Sequence, residues 1–283
     1  MAEPFWRDPY VLMVAPNGAR RAKADHPALP MTQGEIVEAV AESHSAGAHA
    51  AHVHVRDENG QHVLDADQCL RLSDALRSRC GDDLIIQITS EAVGRYTPED
   101  QRQLVRAVQP EAVSIAFREL FAATDDDGKN QEFVHWAAQN RVAIQWILYE
   151  PADVAALASK VDCGVIADAR SVLFVLGRYT QGQKSVPADL IPYVTDLKAH
   201  SAFQNTRWSA CAFGAAETAC LAAALSLGGD ARIGFENSLW HADGLAASSN
   251  AERVAALVDL AGGLGLRSAT PSEARERLGI RQR

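Results

Sequence analysis

The sequence contains no apolar run of the roughly 18 residues that a membrane-spanning helix needs. The longest candidate covers residues 218–229, directly after Glu217, and is too short. The first ten residues, MAEPFWRDPY, carry acidic residues and lack the apolar core of a secretory signal. We therefore expect neither a membrane span nor a secretory leader.

Clusters of positive charge are also missing. The 27 Lys and Arg residues stand against 36 Asp and Glu residues, which gives a formal net charge of −9. A duplex-binding surface needs clustered Lys and Arg to displace counterions from phosphates. We expect no nucleic acid partner.

The cysteines form no Cys-x-x-Cys pair, and their number is odd. The five cysteines are Cys69, Cys80, Cys163, Cys211 and Cys220. This pattern favours buried, reduced thiols over a disulfide framework, and with them a cytoplasmic location.

The 283 residues suit one (β/α)8 barrel, a fold of typically about 250 residues. Short β-branched runs alternate with longer helical patterns, and no Gly-, Pro- or Ser-rich linker divides the chain. We therefore predict a single-domain α/β protein, a (β/α)8 TIM barrel over residues 1–283. An open doubly wound sheet is the alternative, but the turn after the first strand, APNGAR, contains only Gly18 and no GxGxxG motif.

The individual elements follow from this alternation. Strands are predicted over residues 10–15, 50–55, 84–89, 112–116, 142–149, 172–177, 207–212 and 232–236. Helices are predicted over residues 33–46, 66–80, 98–108, 130–140, 151–159, 188–199, 216–227 and 250–264, with a short extra C-terminal helix at 271–278. The helices after Thr32, Thr97 and Thr270 each begin with an N-cap threonine and an acid three residues later.

Two histidines in AHVHVRD, at the end of the second strand, are the strongest chemical signal. His52 and His54 are two residues apart, so on a strand both side chains point to one face. Active sites of TIM barrels lie at the carboxyl ends of the strands. The pair could bind one divalent metal ion, or it could be two hydrogen-bonded polar residues at the barrel mouth.

Glu236, at the end of the predicted last strand, is the candidate for a third ligand. A carboxylate there is costly unless it is paired or metal-bound. Two histidines and a glutamate leave a coordination position open, as in catalytic zinc sites. The alternative is a salt bridge from Glu236 to Arg232 or Arg56.

Further candidates lie at other strand ends. Thr89 and Ser114 could hold a carboxylate, although hydroxyls there often serve as turn or cap residues. Arg20 belongs to a basic loop after the first strand that suits an anionic substrate or is simply solvated. Glu150 and Glu217 follow strands. An acid at such a position more often begins a helix, where it interacts favourably with the helix dipole, than acts as a catalytic base.

Several motifs together resemble the β-keto acid cleavage enzymes. The similar segments are APNGARRAKADHPALP, HVHVRD with the following Gly60, FVLG at 174–177, the strand around Trp208, GGDARIGFEN, SNAERV at 249–254 and ATPSEARERLGI. The resemblance covers nearly the whole chain and implies a (β/α)8 barrel that binds zinc through His52, His54 and Glu236. The reaction it implies converts a β-keto acid and acetyl-CoA into acetoacetate and a new acyl-CoA.

The resemblance also implies roles for other residues. Thr89 and Ser114 match the two hydroxyl residues that hold the substrate carboxylate, in exchanged order. Arg232 matches an assisting arginine. Asn237 stands where the family has an aspartate that serves as general base, and an amide cannot store a proton near neutral pH.

The identity of the group that accepts the substrate proton is therefore open. Glu217 or Glu150 could replace the aspartate as base, or the metal alone could acidify the substrate. Asn237 could still orient water or substrate.

Substrate charge is the other departure from the family. The acids that hold an ammonium group in the amino-hexanoate enzymes are replaced by Arg20 and Ile147, so we expect a β-keto acid with a neutral or anionic far end. Homo-oligomers, dimers or tetramers, are expected from the family. For the CoA-binding residues the sequence offers only guesses, namely Arg118, Arg178 and Lys184.

Two other functions remain open at this point. A metal-dependent hydrolase or lyase of the amidohydrolase or aldolase type could use the same histidine pair on a TIM barrel. A barrel that binds metal without catalysis would fit the loss of the acid at Asn237.

Overall fold

Eight parallel strands close into a barrel in chain order, in a computed structural model that describes residues 8–123 and 126–281. The strands are β1 (Leu12–Val14), β2 (Ala50–Val53), β3 (Ile85–Thr89), β4 (Ala112–Ala116), β5 (Ala143–Leu148), β6 (Ser171–Leu176), β7 (Arg207–Ala212) and β8 (Asp230–Ile233). β8 pairs in parallel with β1, which completes the closure. The predicted single-domain (β/α)8 barrel is confirmed. Most of the N-terminal segment considered above, residues 1–7, lies outside the described residues.

Helices alternate with these strands. The α-helices are α1 (Gln33–Ser45), α2 (Ala66–Cys80), α3 (Pro98–Val108), α4 (Phe117–Leu120), α5 (Asp127–Gln139), α6 (Pro151–Asp162), α7 (Leu190–Ala199), α8 (Glu217–Ser226), α9 (Asn250–Gly263) and α10 (Pro271–Arg277). Short 3-10 helices cover Pro187–Asp189 and Ser201–Phe203. The three predicted N-caps, Thr32, Thr97 and Thr270, all form capping boxes with the acid three residues later.

The last strand differs most from its prediction. We expected a strand over 232–236, but β8 ends at Ile233 because Gly234 adopts a φ of 143°, which a strand cannot continue through. Glu236 therefore lies in the loop after β8 and not on the strand. β2 also ends earlier than expected, so His54 follows the strand by one residue.

The C-terminal helix closes one end of the barrel. Ala274 and Leu278 pack with the inward-facing Val11, Met13 and Ile85 at the amino ends of the strands. Apolar side chains thus fill that end of the barrel. The carboxyl ends of the strands remain as the accessible end, where barrel active sites lie.

All five cysteines are free, as predicted, but they are not all buried. Cys69, Cys211 and Cys220 are buried, Cys80 is half-buried, and Cys163 is exposed where α6 ends. The expectation of burial is wrong for Cys163, since a residue that caps a surface helix faces solvent. Within residues 8–123 and 126–281, no helix is long and apolar enough to cross a membrane.

Candidate active site

The two histidines of β2 meet at the carboxyl end of the barrel. His52 lies in β2 opposite Gln87 of β3, and His54 follows the strand. Their Nε2 atoms are 3.0 Å apart, and both side chains are buried. The prediction that both rings project to one side is confirmed, although only His52 is a strand residue.

Glu236 completes this cluster from the loop after β8. Its backbone N–H donates to the carbonyl oxygen of Ala15 at 3.1 Å, which fixes the loop beside β1. Its Oε2 lies 3.6 Å from His52 Nε2, and its Oε1 lies 3.7 Å from His54 Nε2. One ligand atom of each of the three residues lies within 4.8 Å of the others, so together they could hold a metal ion.

Hydrogen bonds orient His52 for such a role. The Gln87 amide nitrogen donates to Gln145 Oε1 at 3.2 Å, so Gln87 turns its Oε1 toward His52 Nδ1, 2.9 Å away. The proton of the neutral ring is then assigned to Nδ1, and Nε2 presents a lone pair. Ligating histidines are commonly fixed by a hydrogen bond at the other ring nitrogen. Two imidazole nitrogens 3.0 Å apart, with a carboxylate beside them, are ligands that a divalent metal ion such as zinc takes.

The loop after β1 is hydrogen-bonded to the segments that carry the cluster. The Asn17 amide nitrogen donates to the carbonyl oxygen of His54 at 2.9 Å. Arg21 donates to the carbonyl oxygens of Phe235 and Asn237 at 2.8 and 3.2 Å. These bonds join the β1 loop to the segments that carry His54 and Glu236. Arg21 therefore holds the loop in place, whereas the other two cations of the loop, Arg20 and Lys23, are exposed.

The protonation states of the three residues suit metal binding. Burial, reinforced by Arg232, lowers the pKa of His52 to about 4, and burial holds the pKa of His54 well below its usual value. Burial alone would raise the pKa of Glu236, but the positive charge of Arg232 and the nearby His52 hold it below the ordinary value. Neutral imidazoles and an ionised carboxylate are the ligating forms.

A small cavity that opens to solvent adjoins the cluster. It is lined by His52, Thr89, Glu91, Ile147, Tyr149, Val175, Arg178, Phe213, Arg232 and Glu236. Of the predicted substrate-binding residues, Thr89 faces this cavity. Ser114 lies beside Thr89 in the register of β3 and β4, with its hydroxyl 3.5 Å from His52 Nδ1.

Arg232 also faces the cavity, and its contacts leave donors free. Its Nη2 lies 3.6 Å from Glu236 Oε1, so the alternative salt bridge to Arg232 exists alongside the histidine contacts. Its Nε and Nη1 are buried without a hydrogen-bond partner. The other alternative partner, Arg56, donates instead to the carbonyl oxygens of Gly18, Gly60 and Arg21.

Glu217, Glu150 and Asn237 do not line the cavity, whereas Arg178, one of the guesses for CoA binding, does. Glu217 is buried and pairs with Arg253, while its Oε1 accepts from the N–H of Gly234 at 3.4 Å. Glu150 caps α6 and lies 3.5 Å from Arg118. Asn237 is buried, and both polar atoms of its amide lack a hydrogen-bond partner.

Sequence reasoning missed Glu91 as a cavity residue. Its Oε1 lies 3.4 Å from Arg178 Nη2 and 3.9 Å from Arg20 Nε, and its Oε2 lies 4.0 Å from His54 Nδ1. Burial, and then the negative charge of Glu236, raise the pKa of Glu91 to about 7. The signal in the sequence is the position of Glu91 two residues after Thr89, just beyond the carboxyl end of β3.

Comparisons with known proteins show which sequences this chain resembles. A family model described as beta-keto acid cleavage enzyme matches residues 9–280. The 3-keto-5-aminohexanoate cleavage enzyme of Acetoanaerobium sticklandii is 30% identical over 277 residues, 95% of this chain and 98% of that protein. The 3-oxoadipate:acetyl-CoA acetyltransferase of Cupriavidus necator is 26% identical over 96% of this chain and 95% of that protein.

The fold is shared more widely. The apo structure of ObcA superposes with a TM-score of 0.71 at 17% sequence identity, over 90% of this chain and 66% of that chain. A match at that identity concerns the fold alone. The family model covers all eight strands and all three residues of the cluster, and the chain belongs to the beta-keto acid cleavage enzyme family.

Proposed function

We propose that the protein is a zinc-dependent β-keto acid cleavage enzyme that exchanges acyl groups with acetyl-CoA. In the reaction, C2 of the β-keto acid loses a proton and bonds to the acetyl carbon, and the thioester bond breaks. The CoA sulfur then bonds to C3, the C2–C3 bond breaks, and C2 takes up a proton in place of the one it lost. The products are acetoacetate and a new acyl-CoA. The observation that carries the proposal is the convergence of His52, His54 and Glu236 on one point beside the cavity.

His52, His54 and Glu236 would hold the zinc ion. When bound, the ion supplies Lewis-acid stabilisation of negative charge on the keto oxygen. Thr89 Oγ1 accepts a hydrogen bond from the N–H of Glu91 at 3.0 Å, so its own proton is free to donate to the substrate carboxylate. Ser114, its neighbour in the register, is the second hydroxyl proposed for this carboxylate.

Arg232 and Asn237 are the proposed catalytic residues. The free Nε and Nη1 donors of Arg232 can bind oxygen atoms on which negative charge develops during the reaction. The buried amide of Asn237 can orient water or substrate, but it cannot take up the proton from C2. Glu217 and Glu150 remain alternative bases, with Glu217 reaching the site only through the backbone of Gly234.

The substrate is proposed to be a β-keto acid with a neutral or anionic far end. Arg20 and Ile147 replace acids that would hold an ammonium group, and Ile147 lines the cavity. That the whole chain, residues 1–283, works as one catalytic domain stays a prediction. A cytoplasmic location and a homo-oligomeric state, dimer or tetramer, stay predictions as well.

The test combines metal analysis with product analysis. Purified protein is loaded with zinc and incubated with acetyl-CoA and a panel of β-keto acids, and acetoacetate and acyl-CoA are measured by mass spectrometry. We expect turnover that requires acetyl-CoA, with about one zinc per chain. The His52→Ala variant should lose both the zinc and the turnover, whereas His135→Ala, which changes an exposed histidine of α5, should keep both.

Two outcomes would contradict the proposal. Zinc binding without acetoacetate from any β-keto acid would favour a hydrolase, a lyase or a non-catalytic metal-binding barrel. Full turnover by metal-free protein would remove the proposed role of the cluster.

A further inference from the structure

A second group of charged side chains, the ion pair Glu91–Arg178, lines the same cavity as His52 and Glu236. Glu91 follows β3, Arg178 follows β6, and their side chains meet with 3.4 Å between Oε1 and Nη2. Each side chain is only 14% exposed. The Arg178 guanidinium also stacks over Phe213, with its Cζ 4.7 Å from the ring centroid. The pair therefore links loops from two well-separated strands of the barrel.

This pair belongs to the part of the cavity wall that the proposed reacting groups leave for the rest of a substrate. The reacting end is assigned above to the cluster, Thr89 and Arg232. The remaining wall consists of the apolar or aromatic residues Ile147, Tyr149, Val175 and Phe213 together with Glu91 and Arg178. A substrate tail that leaves the reacting centre thus meets an apolar wall and one buried ion pair.

We infer that the Glu91–Arg178 ion pair selects β-keto acids with an uncharged far end, and favours tails that carry a hydroxyl or keto oxygen. This inference rests on the proposed function and narrows its substrate class. A hydroxyl can accept from Arg178 and donate to Glu91 while the two charges stay paired. Short apolar tails are also compatible, since the rest of the wall is apolar.

Charged tails would disturb the pair. An ammonium group attracted to Glu91 must approach Arg178, and a second carboxylate attracted to Arg178 must approach Glu91. Either approach pulls one member of a buried pair from its partner, which is strongly unfavourable. Arg20 offers little compensation to a carboxylate, since its side chain is 57% exposed and its Nε lies 3.9 Å from Glu91 Oε1.

The test uses four substrates with six-carbon chains. They are 3-oxohexanoate, 5-hydroxy-3-oxohexanoate, 3-oxoadipate and 5-amino-3-oxohexanoate. For the zinc-loaded wild type, we expect kcat/KM to be at least tenfold higher for 5-hydroxy-3-oxohexanoate than for 3-oxoadipate or 5-amino-3-oxohexanoate, whose far ends are charged. The Glu91→Gln variant frees Arg178 and should raise the relative kcat/KM for 3-oxoadipate at least tenfold. The Arg178→Gln variant frees Glu91 and should raise the relative kcat/KM for 5-amino-3-oxohexanoate at least tenfold.

Controls separate a charge effect from damage to the site. Arg71→Gln and Glu42→Gln make the same changes on exposed helix positions and should leave the substrate ranking unchanged. Zinc content is measured for every variant, because Glu91 also lies near His54. Calorimetric binding of the four acids without acetyl-CoA gives a second ranking that does not depend on turnover.

The outcomes distinguish this inference from the proposed function. A wild type that prefers 3-oxoadipate or the amino acid tenfold overturns the inference, while the acyl exchange stands. Variants that keep the wild-type ranking overturn it too. If no acid is converted, yet the hydroxy acid binds most tightly and the variants shift binding as described, the selection holds and the proposed reaction fails.

Discussion

Gly18 and Glu236 are in such close contact that no side chain fits between them. A Cβ atom built on Gly18 would lie 2.5 Å from Glu236 Cγ and 3.0 Å from its Cβ. Gly18 also has a φ of 61°, in the left-handed region that favours glycine. Because Gly18 has no side chain, the Glu236 side chain can pack directly against the APNGAR turn.

Substitution of Gly18 by alanine should therefore weaken metal binding. The new methyl group would displace the Glu236 side chain from the two histidines, and we expect zinc affinity to fall at least tenfold in a chelator competition. Gly164→Ala is the matched control, because Gly164 has a φ of 76° and nothing within 4 Å of an added Cβ. Equal loss of affinity in both variants would show that backbone strain, and not the contact with Glu236, is responsible.

Thr89 is expected to contribute to substrate binding through its hydroxyl. Thr89→Val keeps the shape but removes the donor, so we expect KM for the preferred β-keto acid to rise about tenfold, the cost of roughly one lost charge-assisted hydrogen bond. Steady-state kinetics measure this, with the exposed Thr195→Val on α7 as control. An unchanged KM would assign the carboxylate to other donors.

Glu217 is expected to stabilise the protein without taking part in proton transfer. Burial raises its pKa to about 7, against the opposing charge of Arg253, and its partners lie in α9 and the Gly234 backbone. Glu217→Gln would leave Arg253 buried and unpaired, and we expect the free energy of unfolding to fall by about 3 kcal/mol or more. Urea titration measures the loss.

The kinetics of the Glu217→Gln variant test the alternative that Glu217 is the catalytic base. If Glu217 only stabilises the loop, kcat per folded molecule should stay within about threefold of wild type. A hundredfold drop in kcat, with the folded fraction unchanged, would identify Glu217 as the base.

His62 should make the metal-free protein sensitive to acid. Burial lowers its pKa to about 4 from 6.5, and its Nε2 lies 3.0 Å from the carbonyl oxygen of Glu91. The folded state favours the neutral ring. Its contribution to stability is therefore complete above pH 6.5 and is lost as the pH falls toward 4, by about 3 kcal/mol.

The measurement compares wild type with His62→Gln, which keeps a donor for the Glu91 carbonyl but does not titrate. The free energy of unfolding should fall more steeply for wild type between pH 6.5 and 4. His52 and His54, whose pKa values are also lowered, are present in both proteins. Parallel curves would contradict the prediction.

The sequence predicts the barrel well because periodicity and capping are local properties. The strand alternation and the N-cap threonines needed no knowledge of tertiary contacts. β8 was misplaced because its end depends on the φ of Gly234, whose Cβ position is filled by the Ala15 backbone. That contact exists only after β8 has paired with β1.

The candidate site was predictable only in part for the same reason. His52, His54 and Glu236 stand out because such residues are costly at strand ends. Glu91 does not, since an acid after a strand can equally begin a helix, as Glu150 does. Only the packing of the β3 and β6 loops shows that Glu91 meets Arg178.

The placement of His52, His54 and Glu236 has a consequence for how the barrel holds together. β1 is only three residues long, and on one side only Met13 and Val14 pair with Ala50 and Ala51 of β2. The cluster draws its ligands from β2 and from the loop after β8, the two neighbours of this short strand. A bound ion would thus link the two neighbours of β1, whose pairing with β2 is one of the two shortest in the barrel. We expect metal removal to accelerate amide hydrogen exchange first in β1 and its two neighbours, while β4 to β7 remain protected.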